Sequence, residues 1–149
     1  MSTDQPGAAG RAPLIGKRTL SLAAAQAVAA AAQAEAQRNG WAMCIAVVDD
    51  GGHLLCLHRM DGTQTGSIDI AIAKARCAAA FRRPTKAFEE AVADGRTALL
   101  ALPGFVPVEG GLPLTAEGGL VGAVGVSGGR GVEDGRVAEA GAAALRLGP

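Results

Sequence analysis

The stretch VVDDGGHLLCLHRMDG, Val47 to Gly62, holds both histidines of the chain, one of its three cysteines and a dense set of Asp and Gly residues. Imidazole, thiol and carboxylate groups together are metal-ligand chemistry, so their spacing decides what they can do. His53 and His58 are five residues apart. On a strand, an odd separation sends side chains to opposite faces, and one metal ion takes both only if a bulge intervenes. His53 adjoins a turn and reads as solvated. His58 shares a face with Leu54 and Cys56, and is either a half-buried structural histidine or a group lining a pocket.

Other candidates lie downstream. Arg59, Met60 and Asp61 close the same strand, where Arg59 either clamps a carboxylate through its two-pronged guanidinium or forms a surface pair with Asp61 or a Glu. Lys74 shares an apolar helical stripe with Ile70, Ala78 and Phe81. Its ammonium either snorkels to the helix edge or points into a cavity to neutralise an acidic ligand. Glu109 precedes Gly110 and Gly111, where backbone can approach a ligand closely and the carboxylate can act as base or acceptor; an ordinary hairpin turn is the plain alternative. VSGGRGVED, Val126 to Asp134, runs through glycines into a helix and could offer N–H groups to an anion. It lacks the Gly-Lys-Ser/Thr of a P-loop, and small-residue packing explains it equally well. Spacing assigns no Ser-His-Asp, Cys-His or paired-carboxylate set.

These residues must be positioned by one domain, because 149 residues suffice for a single core and are few for two. The composition is 49% hydrophobic but only 3% aromatic, with 22 glycines, so the core must be built from small aliphatics. Fourteen basic and fourteen acidic residues cancel, which favours neither nucleic acid nor an anionic membrane as partner. Cys44, Cys56 and Cys77 are odd in number and form no CxxC, which reads as reduced thiols in a cytoplasmic protein. Residues 1–18 read as a disordered leader without a signal-peptide core, and residues 19–149 as the domain. The apolar run Leu22–Ala34 is too short and too Ala-rich to span a bilayer.

Thr19 to Arg38 predicts a helix, capped by Ser21 and ended by Asn39-Gly40. WAMCIAVVDD and HLLCLHRM flank a Gly-rich turn and predict a hairpin, apolar at nearly every position and therefore covered on both faces. Gly66 to Arg83 predicts a helix capped by Ser67 and stopped before Pro84. PTKAFEEAVADG predicts another, with Pro84 in its first turn. TALLALPGF reads as a helical turn or connector. FVPVEGGLPL and GLVGAVGVSGG read as strands, with Leu112 to Thr115 the weakest strand signal, before a C-terminal helix in VEDGRVAEAGAAALRLG. The order α-β-β-α-α-β-β-β-α suggests an antiparallel sheet with helices on its faces. On residues alone this is a soluble α/β-layered domain with a small-molecule pocket.

In combination, IAVVDDGGHLLCLHRMDG, SIDIAIAKARCAA, LPGFVPVEGGLPL and GLVGAVGVSGG resemble the GlcG/HbpS-like family, also called DUF336, which includes the C-terminal domain of PduO-type proteins. The resemblance covers roughly residues 19 to 147. It implies a profilin-like three-layer α/β/α sandwich (α+β type) on a five-stranded antiparallel sheet, assembled into dimers or larger homo-oligomers. Some members bind haem, and others are encoded among genes for catabolism of small acids or aromatic compounds. The family's recurring positions fall on Asp49, Gly52, Arg59, Asp61, Gly62, Ser67, Lys74, Ala75, Pro84, Gly110, Gly111, Pro113, Gly122, Gly125, Ser127, Gly128 and Asp134. Haem ligation does not carry over residue by residue, because the secreted haem-binding branch has no histidine at His53 or His58; Thr115 is an alternative oxygen ligand.

Two functions are open on this reading. One is a binding module that holds haem or a small carboxylate-bearing metabolite between the hairpin and the Ser67 helix, with Arg59 and Lys74 as counter-ions, His58 or Thr115 at the iron, and Asp61, Ser67, Gly110 and Gly111 lining the site. Only Trp41, Phe81, Phe88 and Phe105 are available as aromatic contacts to haem. The other is a small enzyme acting on an acidic catabolic intermediate by proton transfer or hydrolysis, with Glu109 or His58 moving the proton.

Overall fold

The structure is a computed structural model that describes residues 10–146. Helix α1, Leu22–Arg38, begins where the Ser21 hydroxyl accepts the Ala24 N–H at 3.1 Å. It ends where the Asn39 carboxamide donates to the Glu35 carbonyl at 2.8 Å. Strand β1, Cys44–Asp49, then turns into β2, Leu54–Arg59. One Asp49 carboxylate oxygen accepts the N–H groups of Gly51 and His53 at 2.9 and 3.0 Å, so a single side chain shapes this turn. Helices α2, Gly66–Phe81, and α3, Thr85–Ala93, follow, then a 3-10 turn at Thr97–Ala101. Strands β3, Gly111–Ala116, and β4, Gly119–Ser127, form a second hairpin ahead of α4, Gly131–Arg146.

Both hairpins join into one antiparallel sheet of order β2-β1-β4-β3, with β1 and β4 central. Side-chain alternation along β1 divides the core. Ile45 and Val47 face Val28, Ala29 and Ala32 of α1 and Val137 and Ala138 of α4. Cys44, Ala46 and Val48 face Ala71, Ala75 and Ala78 of α2. The result is three layers with helices on both faces of the sheet, and alanines at the contacts let the helices lie close.

Several expectations are corrected. The sheet has four strands among the described residues, not five. Residues 105–109 form no strand because their backbone groups turn elsewhere: the Val106 N–H reaches the Cys77 sulfur at 3.3 Å, Pro107 has no N–H, and the Val108 N–H turns back to Val106 O at 2.9 Å, so pairing with β4 begins only at the Gly110 carbonyl, which accepts the Val126 N–H at 2.9 Å. The weak Leu112–Thr115 signal lies within β3. Ser67 does not cap α2, since Thr65 holds the cap position; the buried Ser67 hydroxyl pairs with the Gln64 carboxamide at 3.0 Å. Pro84 likewise sits at the cap of α3, outside its first turn. Ile70 is 43% exposed, so the buried stripe of α2 runs instead through Ser67, Ala71, Lys74 and Ala78. The β1–β2 register slips between Val47 and Val48, and this bulge at Leu55 turns Leu54 toward Asp69, Ile72 and Ala73 of α2, away from the face of Cys56 and His58. The expected leader, residues 1–18, lies in part outside the described residues; residues 11–18 have no helix or strand.

Helix α2 crosses β4 at Gly125, where an added Cβ would lie 2.1 Å from the Ala71 carbonyl oxygen and 2.5 Å from the Ala75 nitrogen. Both obstacles are backbone and cannot rotate aside. Gly125→Ala is expected to lower stability by about 3 kcal/mol or more, read from the denaturation midpoint. Gly66→Ala, with no atom within 4 Å of the added group, is expected to stay within about 0.5 kcal/mol of the parent.

Candidate functional site

The end of β2 and the C-terminal half of α1 enclose an open cleft of about 440 Å³, lined by Gln33, Gln37, His58, Arg59, Met60 and Asp61. Its floor is fixed by backbone. The Met60 N–H donates to Met43 O at 3.1 Å, and the Met60 carbonyl accepts both the N–H and the hydroxyl of Thr63 at 3.2 and 2.7 Å. These bonds hold the turn that presents Asp61. Gln33 and Gln37 stand one turn apart on α1, so both carboxamides face the same opening. The Gln33 carboxamide oxygen lies 2.7 Å from His58 Nδ1. With the carboxamide oxygen as acceptor, Nδ1 is the donor in this contact, and Nε2 is the ring nitrogen that faces away from Gln33. Neither Arg59 nor Asp61 takes part in any ion pair among the described residues. Arg59 lies opposite Cys44 in the β1–β2 register and so belongs to the α2 face of β2; the cleft offers a carboxylate, two carboxamides and an imidazole nitrogen to a ligand, with Arg59 at its rim.

Lys74 neither snorkels nor points into this cleft. Its side chain is 1% exposed, and its ammonium donates to Asp134 Oδ2 and to the Val126 carbonyl, both at 2.9 Å. The other Asp134 oxygen accepts the Gly129 N–H at 2.9 Å. Burial pushes the Asp134 carboxyl up, against the pull of Lys74 and the Gly129 amide. Gly110 and Gly111 pack over the same lysine: a Cβ at Gly110 would be 2.9 Å from Lys74 Nζ, and one at Gly111 2.5 Å from Lys74 O. The Gly111 N–H is taken by the buried Thr85 hydroxyl at 2.9 Å. These two glycines serve a close approach of backbone to the protein's own interior.

Glu109 lies in a third place, a hollow shared with Glu89, Arg130, Gly131 and Val132, its carboxylate laid across α4 where Gly135 has no side chain. Thr115 is exposed on edge strand β3, beside the register slip opposite Leu120. His53 stays near Asp49 at 3.4 Å, far from His58's partners on α1. The described residues contain no cluster of three or more His, Cys, Asp or Glu side chains that could hold a metal ion. Burial pushes the thiols of Cys44, Cys56 and Cys77 up, so none is an activated thiolate. No helix among the described residues is long and apolar enough to cross a membrane.

Of the residues singled out in the sequence, the structure gathers His58, Arg59 and Asp61 into one cleft. It places Lys74, Gly110 and Gly111 around the Asp134 pair, and leaves Ser67, Glu109 and Thr115 apart. Gln33 and Gln37 went unremarked as site residues; their signal was two carboxamides spaced i, i+4 on an otherwise alanine-rich helix. Truncating one member of the Lys74–Asp134 pair strands a buried charge. Lys74→Met alone is expected to cost about 3–5 kcal/mol, and Lys74→Met with Asp134→Leu to cost less than either single change, measured by chemical denaturation.

The HbpS-like family model, described as haem degrading protein HbpS-like, matches residues 20–143. Protein GlcG of Escherichia coli K12 is 50% identical over 108 residues, covering 72% of this chain and 81% of its own length. The crystal structure of protein ORFY of Klebsiella pneumoniae, a DUF336 member, superposes with a TM-score of 0.86 at 31% identity, over 93% of this chain and 99% of that one. A crystal structure of a PduOC:heme complex superposes with a TM-score of 0.78 at 27% identity, over 87% of this chain and 97% of that one.

Proposed function

This chain belongs to the HbpS-like family, and from that membership we propose that it is a small-molecule-binding protein whose ligand, haem or a small carboxylate-bearing metabolite, enters the cleft between α1 and the end of β2. The observation that carries the reading is the 2.7 Å contact of His58 Nδ1 with Gln33. A histidine that ligates a metal through one nitrogen commonly donates its other N–H to a fixed acceptor, which sets the tautomer and the ring orientation. The donor set therefore fits haem, which needs an imidazole nitrogen for its iron and a cation for a propionate; Arg59 would supply that cation from the rim of the cleft. His58 would hold the iron and Arg59 the carboxylate; bound haem would supply a redox-active iron centre. The relatives bear on the same ligand, since the family description names haem and one structural neighbour is a heme complex.

Among the described residues of a single chain, Met60 is the one apolar side chain lining the cleft. The macrocycle needs more apolar cover than this, so the reading includes a homo-oligomer in which a second copy closes over the ligand. A proton-transfer enzyme using both Glu109 and His58 finds less support, because the two residues line separate hollows. Catalysis on an acidic intermediate would have to rest on the His58 cleft alone.

Hemin titrated into the full-length protein is expected to give a Soret band that saturates at fixed stoichiometry. His58→Ala should abolish that band, and Gln33→Leu should weaken binding by about 10–100-fold through loss of the ring's anchor. Arg59→Ala should weaken binding without moving the band. Absorbance that never saturates would remove haem from the proposal and leave the small acid; an unchanged spectrum in His58→Ala would remove His58 as the residue that holds the iron.

A further inference from the structure

At the opposite end of the sheet from His58, a hollow of about 470 Å³ lies between the segment before α1, the two hairpin turns and the end of α2. Its charged lining is Lys17, Arg18, Asp50, Arg82 and Glu117. Two of these residues have unusual backbone. Arg82 at φ +55° and Glu117 at φ +52° are the two non-glycine residues with positive φ among those described. Each occupies a position where a small residue is the low-strain choice. Arg82 ends α2 in the left-handed conformation usually taken by Gly or Asn, and Glu117 opens a two-residue hairpin turn usually built from Asn, Asp or Gly. Both strained positions carry long charged side chains, and both line one hollow, so the strain and the charge coincide at the same place.

Glu117 has a visible task, since it pairs with Arg18. Lys17 pairs with Asp50 at 2.6 Å. Arg82 enters none of the ion pairs among the described residues. The hollow therefore presents three cations against two carboxylates, and the surplus charge is a guanidinium, whose paired N–H groups match the two oxygens of a carboxylate or phosphate. We propose that this hollow is a second ligand site, selective for a small oxyanion held by Arg82, with Lys17 and Arg18 raising the local potential while their own partners fix their positions. It is independent of the His58 cleft and stands whether or not that cleft binds haem.

The test uses the full-length, ¹⁵N-labelled protein, titrated separately with inorganic phosphate and with acetate at constant ionic strength. Amide resonances of Glu117, Gly118 and Gly119 and the Arg82 side-chain N–H are followed. The expected result is a saturating shift with at least one of the two anions, and which of them saturates names the group recognised. Arg82→Gly should weaken that binding at least tenfold without lowering Tm, because glycine adopts the left-handed conformation freely and the variant separates the guanidinium from the fold. Arg82→Lys should keep part of the affinity, as charge without the fork. Shifts that stay linear with both anions, or wild-type affinity in Arg82→Gly, would overturn the proposal.

Discussion

Lys74 carries its ammonium from α2 past the end of β4 to Asp134 in the first turn of α4, and thereby ties the helices of the two outer layers to each other and to the sheet between them. A buried charge is tolerable only when fully partnered, and this one is: a carboxylate, a carbonyl and, through the carboxylate, the Gly129 N–H complete the set. The surrounding sequence is shaped to permit it. A side chain at Gly110 would meet the Val126 carbonyl and Lys74 Nζ, one at Gly111 the Lys74 carbonyl and Thr85, and one at Gly125 the backbone of Ala71 and Ala75, so all three glycines let α2 lie close enough for the lysine to reach its partners. With those positions set, β3 enters the sheet at Gly111 and the preceding residues are left to bond with Cys77 and with one another.

What could be read in the sequence was local. The α1 boundaries follow from Ser21 and Asn39 acting within a turn of themselves, and the β1–β2 hairpin follows from Asp49 bonding to residues two and four places on. What could not be read depends on partners distant in the chain. Nothing near Lys74 distinguishes a lysine that snorkels from one that meets Asp134 sixty residues later. The slip at Leu55, which parts Leu54 from the face of His58, comes from the pairing of β2 with β1 and has no signature within β2. Family resemblance marked Asp134, Gly110 and Gly111 as recurring, and packing explains all three. It did not mark Gln33 or Gln37, which become site residues only because α1 lies over the end of β2.

The fold thus separates support from recognition. The centre of the molecule is occupied by small aliphatics and one satisfied ion pair, while groups free to meet a ligand lie at the two ends of the sheet. At one end the β2 terminus sets His58, Arg59 and Asp61 beside two glutamines; at the other, the two turns and the close of α2 set Arg82 into a hollow. Both ends draw their rigidity from strands and their chemistry from the turns that follow, the usual division between scaffold and site.

The central claim, that the α1–β2 cleft is where the family's ligand binds, is tested most directly by paramagnetic broadening. Amide spectra of the ¹⁵N-labelled protein recorded with and without ferric hemin should lose the signals of Gln33, Gln37 and residues 58–61 first, while those of the two hairpin turns at the far end of the sheet, residues 49–52 and 116–119, persist. Loss centred on Glu109 or Thr115, or uniform broadening across the chain, would contradict the account.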